Sequence, residues 1–283
     1  GVRVDADFVT RTARVRGVLH NATGHGARGQ IAFTVEAGRG AIALGTSPVS
    51  QDFDTSAREL PFAIELPLGP HVRQWDEFTP ALYHLRVDVR GAAAEASFAD
   101  GQAVAFGLRT IATHGRQLMI NGRPLFLRGT LDCAAFPRTG HPPTDVASWK
   151  QEFSVIRAHG LNHVRFHSWC PPEAAFVAAD ELGIYLQVEV ASWPNQSTTL
   201  GDGKPVDAWM EAETTRILRA YGNHPSFVAL CACNEPAGPH HEAWLSAWIT
   251  RHKSADARRL YTAGAGWPEV PENDYHVRSE SPI

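Results

Sequence analysis

Cysteine is scarce in this chain, with Cys133, Cys170, Cys231 and Cys233 the only four among 283 residues. The N-terminal third has none, and no CxxC pair occurs. A disulfide framework or a zinc site is therefore not expected, and small thiols lining a core are the better reading. Long apolar runs are also missing. None approaches the roughly 20 residues needed to span a bilayer, so no membrane partner is expected. A formal charge of −4 leaves no basic footprint for nucleic acid. No glycine-rich phosphate loop is found, since Gly201-Asp202-Gly203-Lys204 reads as a turn. Gly1-Val2-Arg3-Val4-Asp5 is not a signal peptide and reads like the interior of a longer protein.

What is present is ordinary globular composition, 43% hydrophobic and 20% charged, in a chain long enough for two domains. The two halves have different periods. Up to about residue 108 the chain alternates apolar and polar, as in Ala13–His20, Gln30–Glu36, Phe62–Leu68, Tyr83–Val89 and Ala94–Phe98, with Gly and Asp between the runs. Short alternating strands with turn signals predict an antiparallel β-sandwich, immunoglobulin-like, over residues 1–108. No charge constellation there suggests catalysis.

From residue 109 the pattern becomes strand, helix, strand, helix. Leu125–Gly129 is expected to be a first parallel strand. Thr144 can cap a helix whose Val146, Trp149, Phe153 and Ile156 share a face, with Gly160 at its end. Asn162–His167 is a second strand, and Pro171-Pro172 opens a helix that ends near Gly183. Ile184–Glu189 is a third strand. The next helix, about residues 206–221, carries Asp207, Glu211 and Glu213 early and Arg216 and Arg219 late, matching the helix dipole. A fourth strand leads to Asn234-Glu235, and Leu260–Ala263 and Tyr275–Val277 are candidate strands five and six. This alternation implies a parallel sheet. Polar residues gather at successive strand ends, which favours a β/α barrel over a doubly wound sheet. An eight-stranded barrel typically takes about 250 residues. Too few remain, so residues 109–283 are expected to be an incomplete barrel of about six strands.

Asn223-His224-Pro225-Ser226 followed by Phe227–Cys233 and Asn234-Glu235 is the most informative stretch. The residue before a proline is pushed toward extended geometry, and the apolar run suits a strand buried on both faces. An ionisable Glu where such a strand ends is solvated, paired or used, and barrels place catalytic groups there. Glu235 is the first catalytic candidate, set against a simple loop entry with its carboxylate in water. Asp132, Arg165, His167, Glu189, Asn234 and His276 also fall at strand ends. His163, Arg165 and His167 share a strand face, but an intervening Arg is a poor neighbour for a metal ion, so no metal is expected. Trp169 and Trp193 follow strand ends, where an indole either stacks on a sugar or packs.

These motifs resemble glycoside hydrolase family 2, the β-galactosidases, β-glucuronidases and β-mannosidases. Trp75-Asp76-Glu77-Phe78-Thr79-Pro80 and Phe106-Gly107-Leu108-Arg109 are similar to the family's immunoglobulin-like domain. Ile120-Asn121-Gly122-Arg123-Pro124 through Gly129, Gly160–Arg165, Asp180–Ile184 and Asn223–Ser226 with Asn234-Glu235 resemble its first four barrel strands. The resemblance implies a retaining exo-glycosidase, β-galactosidase-like, without a cofactor. Glu235 matches the general acid/base, Asn234 the partner of the 2-hydroxyl, and Arg165 a support of the nucleophile. The nucleophile, a Glu ending the seventh strand, is expected beyond the chain, with Glu280 a weaker candidate. A fragment of this kind would be inactive alone. His167, Trp169, Asp132, Glu189 and His276 are expected near the carbohydrate. Family habit favours a periplasmic or secreted bacterial protein.

Two departures put the sugar in doubt. After the first strand the chain reads Thr130-Leu131-Asp132-Cys133 where the family usually has Asn-x-His, and His167 comes two residues after Arg165 rather than three. A non-catalytic carbohydrate-binding relative and an endo-glycanase of the same clan remain the alternatives.

Overall fold

A computed structural model describes residues 1–278, and the chain divides into two compact units at Arg109/Thr110. In the first unit, β1 (Arg3–Asp7), β2 (Thr12–His20) and β5 (Glu59–Pro67) form one antiparallel sheet in the order β1-β2-β5. β3 (Ala27–Ala37), β4 (Val49–Thr55), β6 (Tyr83–Ala93) and β7 (Ala96–Phe106) form a second, ordered β4-β3-β6-β7. β4 carries little alternation, since only Phe53 of it is buried. The alternating residues Ala13, Val15, Ile31, Phe33, Phe62, Leu66, Leu85 and Val87 share one core between the sheets. Phe33 and Phe62 meet across it with ring centroids 5.5 Å apart. In the Trp75–Pro80 motif, Asp76 Oδ1 accepts from the Phe78 and Thr79 amides at 2.9 and 2.8 Å, closing a turn, while the Trp75 ring is fully buried.

The second unit starts with a small antiparallel sheet of β8 (Ile111–His114), β9 (Gln117–Ile120) and β10 (Arg123–Leu125). Asn121 and Gly122, at φ 52° and 75°, make the β9–β10 turn, the backbone that an Asn-Gly hairpin favours. A five-stranded parallel sheet follows: β11 (Gly129–Asp132), β12 (His163–Phe166), β13 (Tyr185–Glu189), β14 (Phe227–Cys231) and β15 (Leu260–Thr262), in chain order. Between them run α1 (Val146–Ala158), α2 (Glu173–Leu182), α3 (Pro205–Tyr221) and α4 (His241–Ala255).

The first parallel strand therefore begins at Gly129, not Leu125. Arg123–Leu125 pairs with β9, and Phe126 is 75% exposed. The intervening backbone is held by a side chain instead: Asn162 Nδ2 donates to Phe126 O, and Asn162 Oδ1 accepts from the Arg128 amide. α1 is capped by Asp145, not Thr144, through the Ser148 amide at 2.8 Å. Beyond β15, Val277 makes a single parallel bridge to Ala265, with the Gly266 amide on Val277 O at 2.8 Å. The chain thus begins a sixth position without forming a named strand among the described residues.

Parallel registry sorts the sheet's two faces. Leu131, Arg165 and Gln187 are aligned, as are Glu189, Cys231 and Thr262. This face is polar. The neighbouring residues Val164, Phe166, Leu186, Val188 and Leu230 lie on the other face and join the cluster that the helices cover. Cys233 joins that cluster too, whereas Cys231 does not, so the two thiols do not share a face.

The Asn-His-Pro-Ser stretch lies at the start of β14, away from the strand end that carries Glu235. Asp180 of α2 binds His224 Nδ1 at 2.6 Å through one oxygen and accepts from the Ser226 amide at 2.9 Å through the other. The two sequence motifs are therefore one buried joint that sets where β14 begins.

Candidate active site

Three of the predicted residues meet where β12, β13 and β14 end. Arg165 Nε donates to Glu189 Oε1 at 2.6 Å, and its Nη2 donates to Asn234 Oδ1 at 2.9 Å. Gln187 Nε2 adds a 3.2 Å bond to the same Glu189 oxygen. Glu189 is fully buried, and the Arg165 side chain is 16% exposed. Burial alone would make Arg165 easier to deprotonate, but the bond and charge of Glu189 override it and raise its pKa. Because Arg165 holds the amide oxygen of Asn234, Asn234 Nδ2 faces away from it, buried and without a partner among the described residues. Glu189 Oε2, Thr262 Oγ1 and the Tyr275 hydroxyl are also buried and unpartnered there. Buried polar atoms are normally satisfied, so a group of them at these strand ends sets this place apart from the apolar core.

Glu235 stands beside this network. The backbone leaves β14 between two neighbours: the Asn234 amide donates to Ser192 O, and the Glu235 amide donates to Ala265 O, each at 3.0 Å. Glu235 takes φ 43°, a left-handed backbone that is uncommon for a non-glycine residue. Its Oε2 accepts from Trp193 Nε1 at 2.6 Å and from Asn195 Nδ2 at 3.4 Å. The His167 ring meets Trp193 edge-on at 5.0 Å and 89°, which brings His167 to the same carboxylate through the indole. Two neutral donors on one oxygen hold the carboxylate in place.

Asp132 does not join the site. Its strand partner is Phe166, so its side chain lies on the helix-covered face; the residue aligned with Arg165 is Leu131. Asp132 Oδ1 accepts from the Ala134 amide, and the side chain lines a cleft of about 650 Å³ with Glu152 of α1. Burial, then the Asp132 charge, pushes Glu152 up to about 7. Trp169 is not in the site either: its ring packs at 5.3 Å from Phe166 and 6.1 Å from Phe136, and its Nε1 donates to Asp132 O. His276 is exposed and contacts Asn273 at 3.1 Å. Its neighbour Tyr275 sends the hydroxyl inward instead. Burial, reinforced by Cys231 and Glu189, raises that phenol well above its usual value. Glu280 lies outside the described residues. His163 is a buried structural histidine on Tyr185 O at 2.9 Å. Among the described residues no cluster of three or more His, Cys, Asp or Glu is placed to hold a metal ion, and no helix is long and apolar enough to cross a membrane.

The family model for glycosyl hydrolases family 2, TIM barrel domain, matches residues 111–273. The chain belongs to glycoside hydrolase family 2. It is 28% identical over 206 residues to a β-galactosidase of Aeromonas hydrophila, covering 71% of this chain and 19% of that protein. It is 31% identical over 194 residues to a β-galactosidase of Photobacterium profundum, covering 63% and 18%. The chain therefore spans about a fifth of the length of the curated relatives it matches. Among solved structures, a Bacteroides uniformis β-glucuronidase superposes with a TM-score of 0.79 at 18% identity, over 94% of this chain and 33% of the other. A family 2 β-galacturonidase from Eisenbergiella tayi gives 0.74 at 20% identity, over 93% and 45%. At such identities the superpositions establish a shared fold: a β unit followed by part of the family's barrel.

Proposed function

We propose that this chain carries the acid/base half of a retaining exo-glycosidase site that cleaves O-glycosides, β-galactosides first among them. The N-terminal unit is then the family's immunoglobulin-like domain, and the parallel sheet is the first five strands and opening of the sixth of its barrel. The carrying observation is Glu235, ending β14 in a left-handed conformation, with Oε2 held at 2.6 Å by Trp193 and the Arg165–Glu189–Asn234 network beside it. In this reading the Glu235 carboxyl group protonates the glycosidic oxygen as the C–O bond breaks, and the same carboxylate later takes a proton from water. A retaining mechanism also needs a nucleophilic carboxylate about 5–5.5 Å away, to form and then release a glycosyl-enzyme. Family resemblance assigns that group to a seventh strand, outside these residues. Asn234 Nδ2 is the donor for the sugar's 2-hydroxyl. Arg165 supports the nucleophile, and Glu189 acts through Arg165 rather than on the sugar.

The test is Glu235→Gln in the full-length protein. Loss of a general acid lowers rates by about 10²–10⁴-fold on alkyl glycosides, whose alcohols need protonation. Aryl glycosides with acidic phenols should lose far less in the first step. Added azide should restore turnover and yield a glycosyl azide of retained configuration. Wild-type rates in the variant on alkyl glycosides, or a product of inverted configuration, would refute the assignment.

A further inference from the structure

Two tryptophans beside Glu235 have more surface than acid catalysis uses. Trp193 follows β13 and Trp267 follows β15, so they reach the Glu235–Pro236 segment from the strands on either side of β14. Each is anchored by its own N–H. Trp193 Nε1 donates to Glu235 Oε2, and Trp267 Nε1 donates to Pro236 O, both at 2.6 Å. Both residues nevertheless remain exposed, at 37% and 40%. An indole usually reaches a hydrogen-bond partner when its body is buried. Here the polar tip is fixed and the apolar body is left open, on two rings within one residue of the same carboxylate. His167 meets the Trp193 ring edge-on, which also holds its plane. Gly264 lets the Trp267 segment approach: a Cβ there would sit 2.5 Å from Trp267 O and 2.6 Å from the Pro236 ring.

We propose that Trp193 and Trp267 form the leaving-group subsite, and that they select aglycones with a flat aryl or pyranose face over small alkyl alcohols. This rests on the reading of Glu235 as the general acid. The acid's proton goes to the glycosidic oxygen, so the first atoms beyond that oxygen lie against whatever surrounds the carboxyl group. Trp193 touches the carboxyl group itself, and Trp267 is fixed one residue further along the same segment, on Pro236 O. A ring of the leaving group can cover an indole face and displace water from it, whereas a methyl group cannot. Trp193 has two roles, its N–H on the acid and its face toward the aglycone; Trp267 has only the second. Trp267 is therefore the cleaner probe.

The experiment compares methyl and benzyl β-glycosides of the sugar that the full-length protein hydrolyses. Their leaving alcohols are nearly equal in acidity, so the benzyl-to-methyl ratio of kcat/KM reads contact rather than chemistry. The wild type should favour benzyl by about tenfold, the order expected for one aromatic contact, and Trp267→Ala should remove most of that preference. Trp267→Phe should keep the larger part of it. If the alanine variant fails to fold, Trp267→Leu, apolar but without a flat face, takes its place. A disaccharide of the same sugar serves as the second arm, and a loss on it like that on the benzyl glycoside supports a sugar ring as occupant. An unchanged ratio in Trp267→Ala, or a wild-type ratio near one in an enzyme that does depend on Glu235, overturns this inference alone. If Glu235→Gln cleaves the methyl glycoside at the wild-type rate, or the full-length protein hydrolyses neither compound, the acid assignment falls and this inference with it.

Discussion

Replacing Glu189 by Gln tests how the polar network holds the site. The two side chains are nearly isosteric, so the change removes charge while leaving an acceptor. Arg165 Nε and Gln187 Nε2 both donate to Glu189 Oε1, and a glutamine oxygen can occupy that position. Its amide nitrogen then replaces Oε2, which has no partner among the described residues. A hydrogen bond to a charged group contributes about 1.5–3 kcal/mol and a neutral one about 0.5–1.5, so the bond alone loses roughly 1 kcal/mol. Leaving a buried charge wholly unpaired costs about 3–5 kcal/mol, an upper bound here because Arg165 keeps its acceptors and some solvent contact. A loss of about 2–3 kcal/mol follows, within those limits. The functional consequence runs through Arg165 Nη2, which fixes the amide oxygen of Asn234 at 2.9 Å. If Glu189 positions Asn234 in this way, the two residues are energetically coupled. A cycle of Glu189→Gln, Asn234→Ala and the double variant, read as kcat/KM in the full-length protein, should be non-additive by about 1 kcal/mol, or fivefold. Thermal melts of the same proteins separate folding from function. Additivity within about 0.3 kcal/mol, with Glu189→Gln folded, would refute the coupling.

Two further outcomes concern folding. His163 is buried, and burial pushes its pKa down to about 4, with the bond to Tyr185 O opposing that and Arg165 adding to it. The unfolded chain binds that proton near 6.5, so stability is complete above that pH and falls as pH drops toward 4, by about 3 kcal/mol at the lower end. Denaturation midpoints at pH 7 and pH 4.5 should diverge less in His163→Leu than in the wild type; equal slopes would exclude His163 as the cause. Gly264→Ala should be harmful because its Cβ meets backbone and a proline ring that have little room to move. Overpacking of this kind costs about 1–3 kcal/mol, and the displaced segment carries Glu235, so a lower melting point and a lower kcat/KM should appear together. An alanine variant with wild-type melting and turnover would show that the Pro236–Trp267 contact adapts.

How much of this could be read from residues alone turns on parity. β14 was legible because Phe227–Cys231 is a short run with no polar residue, a pattern that burial on both faces imposes. Glu235 and Asn234 stand just past the end of that run, which is what singles them out as candidates. For Asp132 the expectation and the structure differ through the placing of the strand start. Placing the first strand at Leu125–Gly129 treats everything after it as loop, free to point toward a ligand. The strand instead starts at Gly129, and alternation then puts Leu131 beside Arg165 and Asp132 beside Phe166, on the helix side. The start was hidden because Asn162 binds the preceding backbone through its side chain, a tertiary contact with no local signal. His276 and Tyr275 differ by a single step as well, and the buried hydroxyl is that of Tyr275 while His276 is exposed. Trp169 and Trp193 show the other limit. Both follow strand ends, and nothing in their neighbours distinguishes them. One packs against Phe166, and the other donates to the Glu235 carboxylate, because Trp193 follows β13, the strand next to β14, and Trp169 follows β12, one strand further away. Strand order is a property of the folded sheet, so a residue's distance from Glu235 in sequence, 42 positions for Trp193, says little until the order is known.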